Sequence, residues 1–386
     1  MSSVMASVAA TVHPHEIEIQ DFDVYDLIID ARPAREYAQD RLPHAVSLPV
    51  APLRPHHRDS HQGDLQSRTD APLDTPPEAL SVALPMSVRS IRSVGLGQQL
   101  RLRKLVCHLQ PGALVLVYCS NAGRDSEVWA HCLEEMGFAV DVLGGGWPAY
   151  RRWVERGLTQ LPRYLALQGF TAPPMGGLEA VARELVAAGE QVLLLDWVGA
   201  DGGVPGFAWP ALRRARQHRF ETLLLDAMRR LDASRTAWVG WCWAPQQGIQ
   251  LPTALMAALG QRPAMAISSP LSVREQGWRR VLESVHAEAS TDLRLNVSTQ
   301  LWLGMEQAGE LLGLERGAIV PLRDLISGLP REAARRLAEV FGMPCVAPIE
   351  GVATLQVDLP TLESEAVSRA LDQFKSLRDR RQVGLA

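Results

Sequence analysis

Residues 114–126, LVLVYCSNAGRDS, constrain the chain most: an apolar run stops at Cys119 and passes straight into a short polar stretch. Val115, Leu116 and Val117 read as a buried parallel strand, because the run is continuous rather than alternating and follows the Pro111-Gly112 turn. Residues 127–138, EVWAHCLEEMGF, carry apolar side chains at helical spacing. Cys119 is therefore expected where a strand ends and a helix is about to begin. Backbone N–H groups of such a loop and the positive end of the helix dipole favour an anion, and hence thiolate over thiol. Arg124 adds a full positive charge five residues on. The alternative, a structural cysteine at a strand end, is the usual fate of a free thiol. The polar, glycine-containing residues after Cys119 favour the reactive reading.

At 386 residues the chain has room for two domains, each with its own core. Its apolar fraction of 47% is that of a globular protein, and a formal net charge of −4 leaves no global basic field for a nucleic acid, so no DNA partner is expected and any RNA site must be a local patch. Nearly all positive charge is arginine, with Lys104 and Lys375 the only lysines. The five cysteines form no CxxC pair and no Cys/His cluster at ligand spacing, so neither a disulfide framework nor a metal site is indicated. The N-terminal residues MSSVMASVAATVHPHE lack a basic leader region, and no apolar run is long enough to span a bilayer. A cytoplasmic location is the expectation, with no membrane partner and no cofactor.

Three stretches together carry a resemblance. Residues 27–50 (LIIDARPAREYAQDRLPHAVSLPV) and 142–152 (VLGGGWPAYRR) resemble the flanking signatures of the rhodanese family, and residues 119–124 resemble its active-site loop. The resemblance implies a parallel sheet with flanking helices, and a cysteine that carries a persulfide. Carried over by position, Cys119 is the nucleophile, and Ser120, Asn121, Ala122, Gly123 and Arg124 cradle the transferred sulfur and its anionic donor.

The first domain is expected over residues 16–160. Within it, residues 51–85, rich in Pro, His, Asp and Ser, read as an exposed insertion, and 87–108 as a basic helix. Residues 139–143 are an expected strand, followed by Gly144-Gly145-Gly146-Trp147 and a helix packed through Tyr150 and Trp153. A second α/β domain is expected over 161–386. Residues 164–168 read as a strand, 169–177 (GFTAPPMGG) as a glycine-rich turn, 178–188 as a helix and 191–196 (QVLLLD) as a strand. Strand, turn, helix is the setting of a phosphate-binding loop. Its chemistry is missing, because Met175 and Gly176 stand where lysine and Ser/Thr are needed and Pro173-Pro174 removes two N–H donors. Beyond residue 280 the pattern gives helices at 322–340 and 362–377 and a strand at 355–359.

A rhodanese domain followed by a P-loop domain resembles the tRNA 2-selenouridine synthase family, and the likeness runs over about residues 25–280 through GGWPAYRR, Val94-Gly95, Phe220-Glu221, Trp238-Val239 and Pro252. It implies selenophosphate or a sulfur donor, and tRNA whose wobble 2-thiouridine is first geranylated from a prenyl diphosphate. The family's loop CWRGGMRS is here CSNAGRDS, its lysine-bearing loop is GFTAPPMGG, and two further polar stretches fall on Gly202–Pro205 and Cys242–Ala244. The second domain is thus expected to be a degenerate P-loop NTPase-like fold that has kept its shape and lost part of its chemistry. Two rival expectations stand beside this one: a stand-alone thiosulfate-type sulfurtransferase, and a non-catalytic paralogue that binds a partner.

Overall fold

The computed structural model describes residues 10–12, 21–50, 96–120, 124–172, 177–198, 217–241, 250–288, 334–335, 338–339 and 352–383. The expected insertion at 51–85, the loop residues 173–176, and the stretches 202–205 and 242–244 lie outside them. The chain divides into two compact units. The first comprises residues 1–13, 21–37 and 44–149; the second comprises 14–20, 38–43 and 150–386.

The first unit is built on a five-stranded parallel sheet of β1 (Ala10–Val12), β2 (Leu27–Asp30), β3 (Val46–Ser47), β4 (Leu114–Tyr118) and β5 (Ala139–Leu143), in the order β1-β5-β4-β2-β3. β4 lies at the centre, paired to β2 through Leu116↔Ile28 and to β5 through Leu116↔Asp141. Both its faces are covered, which is why its sequence is a continuous apolar run instead of an alternating one. Helices α1 (Ala34–Gln39), α2 (Leu96–Val106) and α3 (Arg124–Glu135) belong wholly or mainly to this unit. α3 covers β4 and β5 through Val128, Trp129 and Leu133, and the Trp129 indole N–H donates to the Leu48 carbonyl at 2.8 Å. Full burial of a side chain of this size contributes roughly 1.5–3 kcal/mol relative to exposure.

The helix expected at 127–138 is shifted three residues toward the N-terminus. Gly137 (φ 88°) closes it, its N–H bonding Glu134 O and that of Phe138 bonding Leu133 O, the paired pattern of a left-handed C-terminal cap. Phe138 is thus outside the helix and packs against the core as the residue after the cap. At the other end Arg124 is already helical, which shortens the loop after Cys119. The basic helix expected at 87–108 is seen as α2, where Arg101, Arg103 and Lys104 are exposed or partly so.

The second unit holds another five-stranded parallel sheet: β6 (Ala166–Thr171), β7 (Gln191–Leu194), β8 (Thr236–Trp241), β9 (Ala264–Ser268) and β10 (Thr354–Asp358), in the order β10-β9-β6-β8-β7. The first strand of the unit is therefore central; the chain runs to one edge, returns, and crosses to the other side. α4 (Gly146–Gln160) enters this unit at Tyr150, and α5 (Gly177–Ala187), α6 (Leu195–Val198), α7 (Gln217–Arg229), α8 (Thr253–Gly260), α9 (Leu271–Glu288) and α10 (Ser364–Val383) follow. The strand read at 355–359 is the edge strand β10, and the helix read at 362–377 is α10, whose buried Phe374 meets Trp238 at 5.9 Å between ring centroids. The C-terminal region thus completes this unit's core. Two expectations need correction: the strand at 191–196 ends at Leu194, where the chain turns into α6, and β6 starts and ends later than 164–168.

Residues 38–43 belong to the second unit because Asp40 is drawn into a buried polar cluster. Its carboxylate accepts from Thr222 Oγ1 at 3.0 Å and Arg151 Nη1 at 3.4 Å, with Arg219 Nη1 at 3.9 Å. Arg219 also donates to the Arg41 carbonyl at 2.8 Å, and Arg151 pairs with Glu221. Burial pushes the Asp40 carboxyl up, against the opposing pull of Arg151, Thr222 and Arg219. The arginine pair of WPAYRR is therefore split: Arg151 is buried in this cluster and Arg152 is exposed.

Gly169 was expected in a turn and lies in β6. A Cβ there would stand 2.8 Å from the Trp241 ring and 3.1 Å from Ala264 Cβ, so glycine is what lets the indole cross the strand. Gly169→Ala is expected to destabilise the second unit by about 1–3 kcal/mol, since a buried indole cannot swing clear as a flexible chain would. A urea-denaturation midpoint unchanged from wild type would contradict this packing account.

Candidate active site

β4 delivers Cys119 at its C-terminal end, in the middle of the first sheet. The side chain is buried, 2% exposed, with Sγ 3.4 Å from Ser126 Oγ on the first turn of α3. The backbone of the next stretch fixes it from the other side: Trp147 N donates to the Cys119 carbonyl at 2.9 Å. Gly145 and Gly146 (φ 70° and 54°) make the turn that brings Trp147 there. Ser120 donates its hydroxyl proton to Glu36 Oε2 at 2.7 Å.

The residue before the cysteine, Tyr118, reaches a buried ion pair. Arg32 and Asp30, 2% and 0% exposed, form a fork in which Nε reaches Oδ1 at 3.0 Å and Nη2 reaches Oδ2 at 2.7 Å. The Arg32 backbone N–H and the Tyr118 hydroxyl also donate to this carboxylate, at 2.9 and 2.6 Å. The guanidinium sits 3.8 Å from the centre of the Trp147 ring, and Trp147 stacks on Tyr118 at 6.1 Å. Burial opposes the guanidinium's charge, but the hydrogen bond to Asp30 and the fields of Tyr118 and Asp30 outweigh it and hold Arg32 above its ordinary value. The three stretches that carry the sequence resemblance thus meet at one point: Asp30, Arg32 and Glu36 from the first, Cys119 and Ser120 from the second, Trp147 from the third.

Of the six predicted site residues, Cys119 and Ser120 are placed by this geometry, and Arg124 is the first residue of α3. Asn121, Ala122, Gly123 and the Arg124 side chain lie outside the described residues. Sequence reasoning did not assign roles to Arg32, Tyr118, Trp147, Glu36 or Ser126; the DARPAREY and GGGW strings held the signal for Arg32, Glu36 and Trp147, Ser126 matches the closing serine of the family's CWRGGMRS loop, and Tyr118 shows its part only through its hydrogen bond to Asp30. The other described cysteines differ in setting. Cys107 is exposed and hydrogen-bonds the Lys104 carbonyl, and burial with the nearby Glu135 pushes the Cys132 thiol up. Among the described residues no group of His, Cys, Asp and Glu is placed to hold a metal ion, and no helix is long and apolar enough to cross a membrane.

Residues 16–152 match the family model of the rhodanese-like domain. This rhodanese-like domain contains Cys119 and every side chain drawn around it above, and the parallel sheet with flanking helices is consistent with that fold. Among solved structures, thiosulfate sulfurtransferase from Pseudomonas aeruginosa is similar at 11% identity, covering 83% of this chain and 73% of that one with a TM-score of 0.17, a superposition too low to bear on the fold. No curated protein matches the chain.

Proposed function

We propose that the protein is a rhodanese-type chalcogen transferase in which Cys119 takes sulfur or selenium from an anionic donor, holds it as a persulfide or perselenide, and passes it to an acceptor. The observation that carries the reading is the placement of Cys119 at the end of the central strand of a rhodanese-like domain, opposite the first turn of α3. The first-turn N–H groups of that helix and Arg124 would hold the donor's oxygens and its leaving group. Ser120 is held at the start of the loop by its hydroxyl, which donates to Glu36.

The finer reading is selenophosphate as donor and the wobble 2-thiouridine of tRNA as acceptor, as in the tRNA 2-selenouridine synthase family. The organisation of the second unit supports it: β6 leads through residues 172–176 into α5 at the centre of an open parallel sheet, where the chain reverses its direction of winding and such sheets take their ligands. The sequence of that loop favours a second reading, a stand-alone sulfurtransferase whose second unit has lost its ligand. Mass spectrometry of tRNA nucleosides from cells with and without the gene separates the two. Loss of selenouridine with the gene supports the first; unchanged nucleosides, with thiosulfate turnover by the purified protein, support the second.

A Mg-nucleotide site without its lysine and hydroxyl forfeits two charge-assisted contacts of roughly 1.5–3 kcal/mol each, a loss of about two orders of magnitude or more in affinity. Calorimetry is therefore expected to show no binding of Mg-ATP or Mg-GTP at millimolar concentration, and none of geranyl diphosphate. Micromolar affinity for any of them would sink the reading of GFTAPPMGG as a loop without phosphate chemistry.

A further inference from the structure

Ser126 faces the sulfur of Cys119 from the third position of α3, with both side chains buried. We propose that Ser126 is a catalytic residue which stabilises the Cys119 thiolate as it leaves the persulfide, an inference that rests on the sulfur-carrier reading above. In the loading half, the thiolate attacks the outer sulfur of the donor. A new S–S bond forms, the donor's own bond to that sulfur breaks, and its electron pair leaves with the donor fragment, sulfite when the donor is thiosulfate. In the discharge half, a nucleophilic acceptor such as cyanide attacks the outer sulfur, the bond to Sγ breaks, and the electron pair returns to Sγ. No external oxidant or reductant enters either half, and Ser126 keeps its proton throughout.

The hydroxyl matters unequally in the two halves. Full negative charge appears on Sγ at the end of discharge, and a hydroxyl 3.4 Å away, buried together with the sulfur, can donate to it without reorganising. In loading the same bond makes thiolate more abundant but less nucleophilic, and the two effects offset. A residue that merely packs against the loop would affect both halves alike.

Single-turnover measurements on the full chain test this. The protein is loaded with thiosulfate, freed of small molecules, and discharged with cyanide, with intact mass and thiocyanate read at each stage. Ser126→Ala is expected to slow discharge about tenfold, equivalent to about 1.4 kcal/mol, while loading changes by no more than roughly twofold. The loaded fraction at steady state rises accordingly, and Ser126→Thr restores discharge. An unchanged discharge rate, or an equal slowing of both halves, overturns the inference. A wild-type protein that never loads overturns the sulfur-carrier reading itself, and this inference with it.

Discussion

Arg32→Met is expected to lower the stability of the first unit by about 3–5 kcal/mol, the cost of leaving a buried charge without its partner. Asp30 is wholly buried, and among the described residues its carboxylate keeps the Tyr118 hydroxyl and the Arg32 backbone N–H once the guanidinium is gone. Trp147 loses the cation on its face as well, and with it part of what orients the segment that holds the Cys119 carbonyl. Replacing both partners, Asp30→Asn with Arg32→Met, should cost less than the single change, because the uncompensated charge disappears. Urea unfolding followed by tryptophan fluorescence measures this directly. A loss below about 1 kcal/mol for the single variant would mean that the fork is not fully desolvated.

Cys119→Ser is expected to reduce sulfur transfer from thiosulfate to cyanide by roughly three orders of magnitude or more, since a hydroxyl without a strong base is a poor nucleophile and cannot carry sulfane sulfur. The fold should survive. Serine is slightly smaller than cysteine, and its oxygen can still hydrogen-bond Ser126 on α3. Circular dichroism and the urea midpoint therefore stay near wild type while turnover disappears. Cys107→Ser and Cys132→Ser serve as controls and should keep full activity, the first being exposed just after the end of α2 and the second having its thiol pushed up by burial and Glu135. Retained transfer in Cys119→Ser would remove the nucleophile from this site.

How much of this could be read in advance depended on whether the signal was local. β4 was legible because a buried central strand needs an unbroken apolar run and a turn on either side, and both conditions are written in adjacent residues. The α3 boundary was missed because apolar spacing marks the buried face, not the first turn; Arg124 and Asp125 are helical yet carry no apolar side chain. Gly169 was misread for a different reason. Glycine beside Pro173-Pro174 looks like turn chemistry, whereas its cause is the Trp241 ring, 72 residues away in sequence by the numbering. The site shows the same division. Cys119 declares itself through its neighbours, but the partnership of Asp30 and Arg32 with Tyr118 and Trp147 exists only after the sheet has aligned β2 with β4 through Asp30↔Tyr118. Ser126 is seven residues from Cys119, and only the turn from strand into helix folds it back onto the sulfur.

The most direct test of the account is the mass of the protein after exposure to a donor. The purified chain is incubated with thiosulfate or with selenophosphate, freed of small molecules, and measured intact without reductant, then digested and mapped. The account predicts a gain of one sulfur or one selenium atom, located on the peptide containing Cys119 and removed by cyanide or a thiol. No adduct with either donor, or an adduct on Cys107 or Cys132 with Cys119 unmodified, would contradict it.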